Sequence, residues 1–240
     1  MDNTIYIALS KQAGQFRQMD VIANNIANAD TAGFSAEKMI FNQYLVKDGD
    51  KSKMAFAQDI ATFRDTTEGK FKKTDGTFDV AIRGDGYFRV QTPLGVRYTR
   101  AGNFQLDGEG TMVTPDGFPV LSQDGEPVQF APGEHNVSIG RDGTISVNND
   151  IRSRLGIVRF DNPQLLEHTS SGLYRAEIEG EPVENAEFVQ GFVESSNVQP
   201  VIELTGMIKT SRSVGNTAKL IEVMFDLQRR TVRTENASQG

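Results

Sequence analysis

The two ends of the chain carry the same spacing of apolar residues. Positions recur at alternating steps of four and three near the N-terminus, and the alternation returns near the C-terminus. This spacing is typical of a helix that packs one apolar stripe against another helix. The predicted N-terminal stripe consists of Ile5, Leu9, Gln12, Phe16, Met19, Ala23 and Ile26. The predicted C-terminal stripe consists of Leu204, Met207, Ser211, Val214, Ala218, Ile221 and Phe225.

Two such stripes predict helices that pair, because a lone stripe leaves apolar surface in water. The pairing could lie within one helical hairpin or in a bundle shared between subunits. The first helix is expected between Thr4 and Ala29, with a left-handed end at Gly33, and the second from about Pro200 past Arg233. This pattern favours assembly as the function, so we expect the stripe residues to form subunit contacts.

Three asparagines, Asn24, Asn25 and Asn28, stand at the end of the first predicted helix. Asparagine is a mediocre helix former because its side chain competes for backbone hydrogen bonds. One interpretation is a frayed, solvated helix end, and the other is a set of polar contacts. Since Asn25 lies beside the stripe position Ile26, where a polar group can fix helix register, we expect the three asparagines to belong to the subunit interface.

The middle of the chain changes to short β-branched and aromatic runs separated by Asp-Gly pairs. Asp-Gly between apolar runs is a strong hairpin signal, so this region is predicted to be all-β. Gly84-Asp85-Gly86 is interpreted as one of these hairpin turns and not as a dinucleotide loop, because no third glycine follows in register. The expected strands are residues 78–82, 87–91, 96–99, 111–114, 137–139, 144–147, 155–160 and 173–178.

Together these patterns predict an α+β protein with long N- and C-terminal helices paired as a coiled-coil-like domain, a central all-β domain and ordered extended connectors. The helical assembly domain is expected to comprise residues 1–33 and 198–240. Residues 34–75 and 186–197 are expected to be the connectors, with an exposed turn at 47–53, and residues 76–185 the outer β domain.

Charge and composition exclude several classes of protein. Lys and Arg total 25 against 32 Asp and Glu, and no basic cluster stands out, which argues against nucleic-acid binding. The chain has no cysteine, so it forms neither disulfides nor thiolate metal sites. No stretch approaches the roughly 20 apolar residues of a membrane span. The short apolar run 5–9 follows an acidic residue, so no cleaved signal is expected.

Candidate catalytic or metal-binding chemistry is sparse. His135 and His168 are the only histidines, and both are expected at the surface because no serine nucleophile stands at a fixed spacing from them. The acidic turn 107–110 does not fit a calcium loop, and no Walker sequence or nucleophile elbow occurs. We therefore expect no enzymatic activity, no metal and no cofactor.

Five segments of the chain resemble, in order, the conserved segments of the bacterial flagellar rod and hook proteins. The first carries that family's ANNxAN core followed by TxGF. A departure lies at 170–174, where relatives commonly have a Gly-x-Asn step before an aromatic residue, and another at 213–216. The five segments are residues 23–34, 79–88, 98–104, 160–163 and 194–198. Within the family, the length and the opening residues 1–6 look most like the proximal rod protein of the F type.

The resemblance implies a structural subunit of a tubular drive shaft, with its terminal helices along the inner wall and its β domain outside. The implied partners are neighbouring proximal-rod subunits, further copies of the chain and the distal rod, with the P ring as a candidate outside. It also implies a periplasmic place in the basal body, after export through the flagellar type III apparatus without signal cleavage. Before assembly, we expect a folded β domain with frayed terminal helices.

Three alternatives remain at the level of sequence. A distal rod protein of the same family is the first. A cell-wall glycan hydrolase would need an extra module with paired carboxylates, for which the chain has no room. A secreted β-rich adhesin with a helical stalk would keep the helices but would lie beyond the outer membrane.

Overall fold

The computed structural model describes residues 2–48, 52–131, 134, 136–169 and 172–238. The chain divides into two compact units. The helical unit consists of Met1–Ala27, Glu37–Asp65 and Val198–Gly240, and the β unit consists of Asn28–Ala36 and Thr66–Asn197. Two long helices and a β-rich middle confirm the predicted α+β class.

The helical unit contains two helices and one β-hairpin. Helix α1 spans Asp2–Ala27, and helix α2 spans Pro200–Ser238. The proline at the start of α2 has no N–H to leave unpaired in the first turn. Strands β1 (Glu37–Asp48) and β2 (Ser52–Arg64) pair antiparallel, with a register shift between Ile40 and Phe41. The two helices contact each other, and α1 also contacts both strands.

The hairpin differs from the extended connector expected over residues 34–75. Residues 37–65 group with the helices, while residues 66–75 group with the β unit. The strands of twelve and thirteen residues pair along their whole length, so the segment forms its own ladder. The centre of the expected turn, residues 49–51, lies outside the described residues.

The β unit is built from short antiparallel strands. One sheet has six strands in the order β13-β14-β6-β5-β12-β15, another has the order β11-β10-β9, and β16-β4, β17-β3 and β7-β8 form pairs. The strands are β3 Phe71–Lys73, β4 Val80–Arg83, β5 Tyr87–Thr92, β6 Gly95–Thr99, β7 Gln105–Leu106, β8 Met112–Val113, β9 Val137–Ile139, β10 Thr144–Val147, β11 Asp150–Arg154, β12 Ile157–Arg159, β13 Glu167–His168, β14 Tyr174–Arg175, β15 Glu181–Pro182, β16 Glu187–Gln190 and β17 Phe192–Glu194.

The apolar core of the described residues lies in the β unit. Its main cluster includes Val80, Phe88, Val90 and Val120, all of which are fully buried. Phe88 packs edge-to-face against Phe104 at a ring distance of 5.0 Å. A second, smaller cluster joins Tyr98, Val158, Leu166 and Tyr174. The alternating burial along β5 and β10 follows from side chains that point to opposite faces of a strand.

The predicted turn at Gly84-Asp85-Gly86 is not a hairpin turn. It joins β4 to β5, but β4 pairs with β16, whereas β5 pairs with β6 and β12. The chain crosses here between two sheets. Gly86 has a φ of 155°, and a Cβ at this position would lie 2.6 Å from Cδ1 of Ile157. Close packing against β12 therefore accounts for this glycine.

Candidate assembly interface

One side of helix α1 is buried, and large apolar residues on another side are exposed. Ile5, Ala8 and Ile22 are buried. Leu9 and Phe16, both in the predicted stripe, are 44% and 49% exposed. Met19 and Ile26 are half-buried, as is Gln12. The covered positions also recur at steps of three and four residues, but every second position of the predicted stripe is replaced by the residue before it. The covered residues are Ile5, Ala8, Gln12, Gln15, Met19, Ile22 and Ile26.

Helix α2 shows the same displacement. The half-buried residues Met207, Val214 and Ile221 belong to the predicted stripe, while the intervening covered positions are Thr210 and Thr217. Leu204 and Phe225, which were predicted to be covered by the helix pairing, are 50% and 46% exposed. Other large apolar residues of α2 that are exposed are Val201, Ile202, Ile208, Leu220, Val223 and Leu227.

A polar contact lies on the covered sides of the two helices. Gln15 donates from Nε2 to Oγ of Ser213 at 2.6 Å, and its Oε1 lies 3.4 Å from Oγ1 of Thr217. Gln15 and Thr217 are 9% and 5% exposed. The facing sides of the two helices therefore include amide and hydroxyl groups, and the larger side chains of Leu9, Phe16, Leu204 and Phe225 are left toward solvent.

The three asparagines have three different environments. Asn25 is 1% exposed, and its amide donates to the carbonyl of Glu37 at 2.8 Å and accepts from the Glu37 N–H at 2.9 Å. Its side chain thus ties the end of α1 to the start of β1. Asn28 is half-buried and accepts from Thr31 Oγ1 at 3.2 Å, whereas Asn24 is exposed. These two bonds hold the Asn25 amide inside its own chain.

In the β unit, four of the five resembling segments meet around one buried arginine. Arg100, which is 9% exposed, donates through Nε to Glu194 at 2.5 Å and through Nη1 to the Gly86 carbonyl at 2.7 Å. Nη2 lies 3.3 Å from both the Ile82 carbonyl and a carboxylate oxygen of Glu68. Glu194, which is 6% exposed, also accepts from the Gly69 N–H at 2.9 Å.

Two glycines and one asparagine complete this junction. The Gly33 N–H donates to the Glu194 carbonyl at 2.8 Å, and its φ of 67° is left-handed as expected, although α1 ends six residues earlier at Ala27. A Cβ at Gly33 would lie 2.3 Å from the Ala101 nitrogen, and one at Gly102 would lie 1.7 Å from the Val80 carbonyl oxygen. Asn197 accepts from the Ala36 N–H at 2.7 Å and donates to the Thr67 carbonyl at 2.9 Å. These segments therefore hold the β unit together from inside.

Comparison with known proteins matches the chain along most of its length. Family models described as "Flagella basal body rod protein", "Flagellar hook protein FlgE/F/G D1 domain" and "Flagellar basal body rod FlgEFG protein C-terminal" match residues 5–34, 81–147 and 189–234. The chain is 38% identical to the flagellar basal-body rod protein FlgF of Caulobacter vibrioides, with 97% of each chain covered. The chain belongs to the flagellar basal-body rod protein family.

Other members of the rod family are nearly as similar. FlgF of Mesorhizobium japonicum is 36% identical with 92% of each chain covered. FlgG of Bacillus subtilis is 32% identical, over 92% of this chain and 94% of its own. The chain is therefore a structural component of the flagellar basal-body rod, not an enzyme, and the hydrolase alternative has no support from these relatives.

The matched family ranges coincide with the geometry described above. The N-terminal range covers α1 and the turn at Gly33, and the C-terminal range covers Glu194 and most of α2. Within the described residues, no cluster of three or more acidic or histidine side chains could hold a metal ion. The described helices include none long and apolar enough to cross a membrane. His168 is exposed, with its ring 5.5 Å from that of Tyr174, and His135 lies outside the described residues.

Sequence reasoning missed the residues that make the polar contacts. Gln15, Ser213 and Thr217 look like ordinary helix-surface residues, because nothing local tells which residue each will face. Arg100 and Glu194 stand in two of the resembling segments, so their place in the family pattern was a signal that they matter. Their pairing spans a separation of 94 residues, which no local pattern can indicate.

Proposed function

We propose that this chain is a proximal rod subunit that assembles, with further copies of itself and with other rod proteins, into a helical tube that transmits motor torque. The supporting observation is the set of large apolar residues exposed on α1 and α2. Repeated head-to-tail contacts that do not close on themselves generate such a tube. The distal rod and, outside the tube, the P ring are the further proposed partners.

The proposed interface consists of the outward apolar side chains of the two helices. Leu9, Phe16, Leu204 and Phe225 are its centre, because all four are about half exposed. Complete burial of such a side chain stabilises by roughly 1.5 to 3 kcal/mol, so covering the exposed halves of all four contributes roughly 3 to 6 kcal/mol before entropy costs. Asn24 and Asn28 lie at its edge, and Asn25 supports it from within the chain by holding the end of α1 to the start of β1. Ile5, Met19, Ile26, Met207, Val214 and Ile221 support it from the covered side, where the two helices pair in a coiled-coil-like manner.

The first experiment replaces Phe16 and Phe225 with aspartate in the chromosomal gene. We expect loss of swimming and of completed rods, because a neighbour would have to bury two carboxylates. The matched control is Leu94→Asp, which changes a leucine that is 82% exposed on the β unit. Normal swimming of the Phe16→Asp/Phe225→Asp strain, with normal amounts of the chain in purified basal bodies, would refute the proposed interface.

The proximal position rests on similarity: two relatives named FlgF are 38% and 36% identical and a third, from Rhizobium meliloti, is 33% identical, while the FlgG of Bacillus subtilis is 32% identical. A distal rod protein is the second candidate for that reason. Basal bodies purified from a mutant that lacks the distal rod separate the two. We expect the chain to be retained in these particles, and its absence from them would favour the distal alternative.

The proposed location is the periplasmic part of the basal body, reached through the flagellar type III apparatus without signal cleavage. Intact-mass measurement of the chain from basal bodies tests this directly. We expect a mass that includes the residues from Asp2 onward, and a mass that begins after the apolar run 5–9 would contradict it.

A further inference from the structure

The facing sides of α1 and α2 hold polar groups where larger apolar groups were available. Gln15 is 9% exposed, while its neighbour Phe16 is 49% exposed. On α2, Thr217 is 5% exposed, while Phe225, two turns further on, is 46% exposed. Because burial of apolar area is the main favourable term in helix packing, area alone favours the opposite arrangement. Some specific interaction must oppose it.

The structure gives the relative direction and register of the two helices. A Cβ at Gly206 would lie 3.5 Å from Cδ1 of Ile22, and Gln15 bonds to Ser213 at 2.6 Å. From Ile22 to Gln15 the chain runs seven residues toward the N-terminus of α1, and from Gly206 to Ser213 it runs seven residues toward the C-terminus of α2. The helices run antiparallel and keep one register across at least two turns.

The predicted stripes define an alternative packing of α1 against α2. Some residues belong both to a predicted stripe and to the side of the helix that is covered in the structure. On α1 they are Ile5, Met19 and Ile26, and on α2 they are Met207, Val214 and Ile221. A turn of each helix by about one residue would bring Leu9, Phe16, Leu204 and Phe225 inward. Gln15, Ser213 and Thr217 would then face water. The two packings therefore have a common edge and differ in which set of side chains they expose.

We propose that Gln15, Ser213 and Thr217 act as positioning residues that set the rotation and register of α1 against α2. Gln15 contacts both partners, since its Nε2 donates to Ser213 Oγ and its Oε1 lies 3.4 Å from Thr217 Oγ1. Thr217 Oγ1 also lies 3.0 Å from the Ser213 carbonyl, which holds the hydroxyl in place. A single polar group in an apolar seam fixes register at a cost in stability. Here it also keeps Leu9, Phe16, Leu204 and Phe225 available on the outside.

Disulfide trapping distinguishes the observed packing of α1 and α2 from the rotated one, and the chain has no cysteine of its own to interfere. Ile22→Cys/Gly206→Cys reports the observed arrangement, and Phe16→Cys/Ser211→Cys reports the rotated one. Both pairs are oxidised in the purified full-length chain, in enough trimethylamine N-oxide for circular dichroism to show formed helices. We expect the first pair to form about three- to ten-fold faster, a ratio consistent with one net hydrogen bond.

The trio is then replaced by Gln15→Met/Ser213→Ala/Thr217→Val in both cysteine backgrounds. We expect the ratio to fall to about one or to invert, with the helical signal retained. Thr210→Val is the matched control, since Thr210 is buried on the same side of α2 but lies outside the trio, and it should leave the ratio unchanged. Should the triple variant lose its helical signal, Gln15→Met alone decides in the same assay.

An unchanged ratio after removal of the trio, or faster formation of the Phe16→Cys/Ser211→Cys disulfide in the parent chain, overturns the assignment. These contacts lie within one chain, and the assay counts only disulfides formed within a monomer. Its outcome is therefore independent of the rod-assembly test with Phe16→Asp and Phe225→Asp.

Discussion

The two units of this rod protein cover their apolar side chains to different degrees. In the β unit, Phe88, Val90 and Val120 are fully buried, and the charged pair Arg100 and Glu194 is enclosed with them. In the helical unit, Phe16 and Leu204 are half exposed, while Gln15 is covered. The β unit therefore gains its stability within one chain. The helical unit leaves large apolar side chains exposed in the isolated chain.

Amide hydrogen exchange on the isolated chain is the widest test of this difference. We expect amides at Phe88 and Val90 to exchange at least about a thousand-fold more slowly than those at Phe16 and Val214, because local opening is easiest where few apolar contacts must be broken. In purified basal bodies the helix amides should become protected. Equal protection of both units in the isolated chain would show that the helices are stable without neighbours.

Arg100→Ala tests how far the β unit depends on its enclosed ion pair. The change leaves the Glu194 carboxylate buried without its main partner, and we expect a loss of about 3 to 5 kcal/mol in the free energy of unfolding. Urea unfolding followed by near-ultraviolet circular dichroism of the aromatic rings measures it.

The control for Arg100→Ala is Arg159→Ala. Arg159 lies 3.7 Å from Glu181, and both side chains are more than half exposed. Such a surface pair contributes about 1 kcal/mol or less. If the two variants shift the urea midpoint by the same amount, the arginine junction is not what stabilises the unit.

Gly102→Ala tests the backbone packing of the same junction. Its new Cβ would lie 1.7 Å from the Val80 carbonyl oxygen, so β4 or the loop after β6 must move. We expect a loss of about 2 to 3 kcal/mol, measured by the same unfolding experiment. Gly108→Ala is the matched control, because a Cβ there meets nothing within 4 Å and the change should have little effect. A tolerated Gly102→Ala would mean that the junction yields easily.

Sequence periodicity predicted the elements whose signals are local. Both helices begin and end within a few residues of the expected positions, and β9 and β10 match the predicted runs 137–139 and 144–147. Strands such as β7, β13 and β15 are two residues long, too short to carry an alternating pattern. Their existence depends on partners that are distant in sequence.

The rotation of each helix about its own axis also depends on residues that are distant in sequence. A spacing of three and four identifies the apolar side of a helix to within about one residue, or roughly 100° of rotation. The choice between Phe16 and Gln15 as the covered residue depends on Ser213 and Thr217, which lie about 200 positions away. Local pattern thus predicted that helices pair and which regions matter, while the residues that fix the pairing came from tertiary contacts.

Asn25→Ala tests the polar contact between α1 and β1 in the helical unit, and its expected effect is the smallest. The variant leaves both the N–H and the carbonyl of Glu37 without their buried partner, which costs about 1 to 3 kcal/mol. Because the helical unit opens more easily than the β unit, we expect faster amide exchange at the end of α1 and the start of β1, with little change at Phe88. Asn24→Ala is the control, since Asn24 is exposed. Loss of protection throughout the β unit in the Asn25 variant would show that the two units unfold together. The two units would then differ in the exposure of their apolar side chains but not in their stability.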